Sequence, residues 1–402
     1  MIKLPEEYLL RMKRLLNSDY PAYLAAMEEG PKRSLRVNTL RLTTEELLKQ
    51  LKGLVPNGIC DEGFLVPENF SAGQNLLHAA GAFYMQEASA QFPATLAKLE
   101  SDSVVLDLCA APGGKTGQLA SKLKGGVLIA NEYVPKRAKT LLANVERLGI
   151  ENAVITNMDA PSLCKKLEGL CDLVLVDAPC AGEGMFRKEP NAILDWSQRA
   201  VLACAARQRE LLKSAAHATG SGGTLIYSTC SFSEEENEGV IENFLRENDD
   251  FSLLFSKRLY PHTCAGEGQF AAVLKRRGER RRLRFEAAHE LSLPDGRRFL
   301  LPPLPFSLSG LRLVRAGLLL GELKGKTFVP SHASAMAVNS PIEDELALDK
   351  PAALRYMHGE TLPPVPTRGY VRLSYKSLPL GLGKATSEGV KCLLPKAMRF
   401  VH

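Results

Sequence analysis

The sequence predicts a mostly parallel, doubly wound α/β sheet of the Rossmann-like type, with a small α/β unit in front and a β-rich unit behind. Three observations predict it. Between residues 76 and 280 of the 402-residue chain, short apolar runs alternate with helical stretches. The runs are almost continuously apolar, as strands covered on both faces are. The chemically interesting residues fall at the carboxyl ends of those runs, where such sheets bind ligands.

The elements follow in order. The opening MIKLPEEYLLRMKRLL is amphipathic and charged. SLRVNTLRL alternates as a strand, and TTEELLKQLKG reads as a helix opened by a threonine cap and closed by glycine. Residues 1–75 therefore form a small α/β unit. The strands of the central unit, 76–280, are VVLDL, VLIANE, AVITNMD, LVLVDAP and GGTLIYSTC. Between them run GKTGQLASKL, PKRAKTLLANVERLG, APSLCKKLEG and QRAVLACAARQRELLKSAAHATG, all with helical spacing. A basic run, LKRRGERRRLRFE, and the proline-rich LPPLPF lead into residues 281–402, whose short strand-like pieces and glycine turns predict a β-rich unit.

Bulk properties narrow the function. Hydrophobic content of 45% and charged content of 24% suit a soluble globular chain, and a net charge of +6 suits either a polyanionic partner or a solvated basic surface. Nothing reads as a signal peptide or a membrane-length apolar segment, so the expected location is cytoplasmic, with no membrane partner. The nine cysteines form no CxxC pair, which argues against a structural zinc site; no metal is expected. In a reducing compartment most of them are buried thiols, and an exception is a nucleophile.

VVLDLCAAPGGKTGQLA reads as strand, glycine-bearing turn and helix, an arrangement that brings backbone N–H groups and a helix amino terminus to a ligand. It contains GKT, but Cys109 stands where a phosphate loop needs its first glycine, and GxGxxG is absent. The methyltransferases that use S-adenosyl-L-methionine (AdoMet) share this topology. They need an acid at the end of the second strand for the ribose hydroxyls, and Glu132 stands there, about 20 residues after the turn. Asp159, after the third strand, can meet the adenine. A lone acid at a strand end is more often a helix cap; two at successive strand ends point to a site. Enzymes methylating amino groups carry Asn/Asp-Pro-Pro-aromatic after the fourth strand, whereas here the place is held by Asp177, Ala178, Pro179 and Cys180. That points to methylation at carbon. C5 of cytosine becomes nucleophilic once a thiolate adds to C6, chemistry that needs a reactive cysteine and an acid at the ring's N3 edge.

LDLCAAPGGKT, NE at 131–132, VDAPCAGEGMFRK and YSTCSFSEEENE, with a partial echo in RLYPHTCAGEGQFAAVLKR, together resemble the RNA 5-methylcytosine methyltransferases of the NOL1/NOP2/Sun family. The outer regions, LRVNTLR in front and GLRLVRAGLLLGELKGKTFVPSHA and GYVRLSYKSLPLGLGK behind, resemble the bacterial ribosomal members of RsmF type, whose rear half is PUA-like. The resemblance implies that Cys230 attacks C6, that Cys180 assists product release and that Asp177 binds the cytosine near the methyl end of AdoMet. It implies a cofactor cradle of Cys109, Ala110, Ala111, Pro112, Gly113, Gly114 and Lys115, with Glu132 on the ribose, Asp159 near the adenine and Arg137 as a further cofactor residue. The implied partner is RNA, small-subunit (16S) rRNA first and tRNA as the alternative, met by a monomer. A non-catalytic RNA-binding or ribosome-assembly factor that kept the fold is the alternative from another class. PKRSLR, RKEP (with Lys188) and KRRGERRRLR are candidate phosphate contacts. Tyr370 and Tyr375 read as half-buried strand residues before they read as base-stacking ones. The chain departs from the family at Gln269, where an aromatic residue is common.

Overall fold

The computed structural model describes residues 3–401. Its centre is an eight-stranded sheet. In chain order the strands are β1 (Val104–Asp107), β2 (Val127–Asn131), β3 (Ala153–Thr156), β4 (Cys171–Asp177), β5 (Thr219–Thr229), β6 (Phe251–Leu259), β7 (Gln269–Arg276) and β8 (Leu313–Ala316). They lie in the order β6-β7-β5-β4-β1-β2-β3-β8. β1 to β5 pair in parallel; β7 is antiparallel to β5 and to β6, and β8 to β3. The order reverses between β1 and β4, and a crevice opens beyond the carboxyl ends at such a switch point.

The five predicted strands form because their side chains alternate between two cores. Val104 and Leu106 pack into one apolar cluster and Val105 into the other; Ile129 and Leu128, Val154 and Ile155 divide the same way. Helices cover both faces. Pro135–Leu148 turns Ala138, Leu141, Val145 and Leu148 inward at helical spacing, with Pro at its start and Gly149 left-handed at its end. Gln198–Ala218 is capped by Ser197, whose side chain accepts from the Ala200 N–H.

In front, the helices Glu6–Leu16 and Tyr20–Glu28 precede a four-stranded sheet made of Ser34–Val37, Val55–Pro56, Gly63–Leu65 and Phe83–Met85. The helix Thr44–Gln50 has the predicted threonine cap, Thr43, in a reciprocal pair with Glu46. It is not closed by glycine: Leu51 is its extended C-cap, two residues before Gly53. The rear holds two further four-stranded sheets, one from His289–Ser292 to Thr327–Pro330 and one from Glu345–Leu348 to Val390–Cys392.

Elements cross both sequence boundaries. The front sheet takes Phe83–Met85 from beyond residue 75, and β8, from beyond residue 280, extends the central sheet. Arg315 on β8 is buried and bonds Glu146 and the Ile150 carbonyl, which fixes the added strand. Among the described residues no helix is long and apolar enough to cross a membrane.

Candidate active site

The sheet's carboxyl ends gather Asp107, Cys109, Lys115, Asp177 and the residues that follow β4 and β5. A cavity of about 200 Å³ opens there, lined by Asp107, the 109–112 turn, Gly114, Lys115, Asp177 and Lys188, and on the far side by Tyr84 and Gln86 from the front unit. A larger cleft, about 510 Å³, lies where β4 and β5 begin, among Lys213, His217, Asp250 and Arg276. It holds charges of both signs and no cysteine; the smaller cavity is lined by Cys109 and Asp177, and Cys180 and Cys230 are not among its lining residues.

The turn needs its glycines for space. Gly113 is left-handed at φ 110°, and a Cβ on Gly114 would come 3.1 Å from the Tyr84 ring and 3.2 Å from Gln86. Glu132 is buried; one oxygen accepts from the Val134 N–H at 2.8 Å and the other lies 3.5 Å from Arg137. Arg137 also donates to the Ala111 carbonyl at 2.8 Å, which ties the turn to the end of β2. Asp159 is exposed and caps the helix Ala160–Lys166, accepting from the Ser162 N–H. Neither Glu132 nor Asp159 lines the cavity wall beside Asp177. Burial raises the Cys109 thiol far above the usual range, and the charges of Asp107, Asp177 and Glu132 push it the same way.

Asp107 is the orphan of the site. It is 1% exposed; one oxygen accepts from Thr116 at 2.7 Å and the other has no protein partner. Desolvation raises its pKa from 3.8 to about 7, opposed by the Thr116 bond. An unpartnered buried carboxylate oxygen facing a cavity fits a ligand that brings a cationic donor, as the α-ammonium of AdoMet does.

Asp177, at the end of β4, is held from three sides. Lys115 meets Oδ2 at 2.7 Å, while Ser228 at 2.7 Å and Gln269 at 3.2 Å donate to Oδ1. Burial opposes the charge on Lys115, yet Asp177 beside it outweighs that, with Cys230 and Asp107 acting in the same direction, and the lysine is raised overall.

The two cysteines meet. Cys180 Sγ lies 3.3 Å from Cys230 Sγ, and both are free thiols. Cys180 is raised well above the ordinary thiol range, first by its hydrogen bond to Cys230 and then by burial, so it keeps its proton beside its partner. Their loops are tied together by Glu236, which is fully buried and accepts from Ala181 N–H, Gln208 and Ser231. Glu183, also buried, accepts from Trp196, from the Phe232 N–H and from Arg11 of the first helix. The front unit is thereby fixed to both loops.

Sequence reasoning singled out Cys109, Asp177, Cys180 and Cys230, and the structure brings them to one end of the sheet. It passed over Asp107, Ser228, Glu183, Glu236 and Arg11. The acids in VDAPCAGEGMF and STCSFSEEE were a visible signal; for Arg11, 172 residues from Glu183, there was none. The predicted phosphate contacts divide. Arg36 is buried on Gln86 and the Gly114 carbonyl, Arg187 is buried on Glu267, and Arg280 clasps Glu100, Asp102 and Asp172. These three are internal braces, whereas Lys32, Arg33, Lys188, Arg281, Arg282 and Arg284 stay exposed. Tyr370 and Tyr375 are half-buried, with Lys384 and Lys376 over their rings.

Residues 94–275 match the family described as 16S rRNA methyltransferase RsmB/F. Residues 4–88 match the N-terminal domain of 16S rRNA methyltransferase RsmF, 278–338 its first C-terminal domain and 343–400 its PUA domain. The "Ribosomal RNA small subunit methyltransferase F" of Pectobacterium atrosepticum is 32% identical, over 98% of this chain and 95% of that one. The protein of the same description from Aliivibrio salmonicida is 31% identical, over 99% and 98%. A methyltransferase homolog protein from Pyrococcus horikoshii, of known structure, superimposes with a TM-score of 0.58 at 28% identity, covering 68% of this chain and 100% of its own.

Proposed function

The chain belongs to the 16S rRNA methyltransferase RsmB/F family, and from that premise we propose that it methylates C5 of a cytosine in small-subunit rRNA, using AdoMet and a covalent cysteine intermediate. The observation that carries this reading is the 3.3 Å approach of Cys180 and Cys230, beside an aspartate bound by a lysine. One thiol of the pair keeps its proton, which leaves the other to act as the nucleophile.

Cys230 attacks C6 of the target base, with the Lys115 ammonium nearby. Asp177, held by three donors, meets the N3 edge of the base, and a proton supplied to that edge by the Asp177–Lys115 pair takes up the negative charge that attack places in the ring. AdoMet supplies the methyl group as an electrophilic sulfonium. Loss of the C5 proton to solvent then restores the C5–C6 double bond and expels Cys230, and the Cys180 thiol, 3.3 Å away, assists by hydrogen-bonding the departing sulfur. The turn from Cys109 to Lys115 would wrap the cofactor, with Asp107 toward its α-ammonium, Glu132 and Arg137 toward the ribose and Asp159 toward the adenine.

An unpaired cytosine reaches such a site only out of its stack. The exposed cations Lys32, Arg33 and Lys188 in front and Arg281, Arg282 and Arg284 behind suit the RNA backbone around it. In this reading residues 1–75 and 281–402 grip the RNA, residues 76–280 carry the chemistry, and the protein works as a cytoplasmic monomer.

A denaturing gel of protein, small-subunit rRNA and AdoMet tests the chemistry. Cys180→Ala should accumulate a protein–RNA adduct that survives denaturation, and Cys230→Ala should form none. An adduct only with Cys230→Ala would exchange the two roles. Absence of any adduct while the wild type still methylates RNA would overturn covalent catalysis.

A further inference from the structure

Gln269 opens β7 and is 2% exposed. β7 runs antiparallel beside β5 with Phe270 opposite Thr229, so Gln269 stands next to the chain as it leaves β5 through Cys230. Its Nε2 donates to Asp177 Oδ1 at 3.2 Å. Only the nitrogen end of an amide can face a carboxylate, so the orientation of this side chain is fixed by chemistry. The backbone before it is fixed as well: Gly268 is left-handed at φ 117°, its N–H donates to Ser89, and a Cβ there would lie 2.4 Å from the Phe232 ring.

We propose that Gln269 is a positioning residue for the reaction: it locks the plane of the Asp177 carboxylate that meets the target base. This deepens the reading of the site given above and rests on it. Lys115 alone holds Oδ2, and a lysine is a point charge on a flexible stem, which leaves a carboxylate free to rotate about the line joining them. Two neutral donors on Oδ1, Ser228 and Gln269, remove that freedom without adding charge. A phenylalanine at 269 would carry no such donor, whereas this chain holds its aspartate by a hydrogen bond from Gln269. A carboxylate that must meet a ring edge in one plane loses most of its effect when it turns, and misplacements of about 1 Å cost on the order of 100-fold in rate.

The test uses the full chain with Cys180→Ala, in which the attack step is read directly as adduct on a denaturing gel. Gln269→Leu removes the donor at similar size, and Gln269→Glu keeps the shape but loses the N–H. Both should slow adduct formation by about 10- to 100-fold. In the background that keeps Cys180, both should lower kcat by a similar factor while the KM for AdoMet changes by less than about twofold, a split that a general loss of structure does not give. Adduct formation at the parental rate in both variants, or a fall in rate tracked by a matching rise in the AdoMet KM, overturns the assignment. A Cys180→Ala parent that forms no adduct fails the covalent reading itself, and the role of Gln269 falls with it.

Discussion

β1 and β4 are neighbouring parallel strands, and each ends in an aspartate at the same cavity. Asp107 and Asp177 nevertheless live in opposite conditions. Asp107 has one donor, Thr116, an orphan oxygen and a pKa pushed up to about 7 by burial. Asp177 has three donors, one of them a lysine whose charge it supports. The difference shows how one residue type at equivalent strand ends is fitted to two tasks by what surrounds it. In the proposed mechanism the first is left for a ligand to complete, and the second is completed in advance for the base.

The largest effect should come from breaking the completed side. Asp177→Asn removes the charge that the proposed mechanism sets against the base, and methyl transfer should fall by about 10³-fold or more. It also leaves Lys115, whose side chain is 11% exposed, without its counter-charge. The Asp177 side chain is 31% exposed, so the loss should be a part of the roughly 3–5 kcal/mol of a fully buried pair, read as a lower urea midpoint. Adding Lys115→Met should restore much of that stability and none of the activity. Recovery of both would mean that Asp177 matters only as a structural anion.

The unfinished side should respond in the opposite sense. The native carboxyl of Asp107 is raised from 3.8 to about 7, so between those pH values the folded protein binds more protons than the unfolded chain, and stability falls as pH rises through that window. Asp107→Asn has no proton to lose. Without ligand it should match the wild type near pH 4 and exceed it at pH 8, by up to about 4 kcal/mol for a three-unit shift. AdoMet affinity, measured by calorimetric titration at pH 8, should nevertheless drop by about tenfold or more. A variant that is more stable and binds AdoMet as tightly as the wild type would show that Asp107 is no ligand group.

Much of this was legible in the sequence, for physical reasons. A strand buried on both faces has to be apolar throughout, so VVLDL and LVLVDAP announced themselves, and a parallel sheet then sends its strand ends, with Cys180 and Cys230, to one crevice. What the sequence hid was pairing across distance. Lys115 sits in a turn that reads as a cofactor loop, but its ammonium goes to Asp177, 62 residues on. LRLVRA reads as part of a rear β unit, yet Leu313–Ala316 joins the central sheet, because β3 would otherwise be an open edge. The basic run reads as a solvated or RNA-facing stripe, while Arg280 within it closes on three acids. Charge and composition are local; which opposite charge a side chain meets is decided by the fold.

The finest test removes one donor from each aspartate. Thr116→Val takes away the sole protein donor on Asp107, and that bond is what holds the pKa of Asp107 down against burial. A hydrogen bond to a charged group contributes about 1.5–3 kcal/mol, so the pH at which AdoMet binding reaches half its maximum should move upward by about one to two units. Ser228→Ala takes one donor of three from Asp177 and leaves Lys115 and Gln269 in place. Its rate should fall by about 10-fold, as for loss of the other neutral donor on Oδ1, with the AdoMet binding profile against pH unmoved. The two substitutions each delete one hydroxyl, so any difference between them measures how many donors remain. Equal shifts from both would mean that the two aspartates are not separately tuned, since the charge of Asp177 also acts on Asp107.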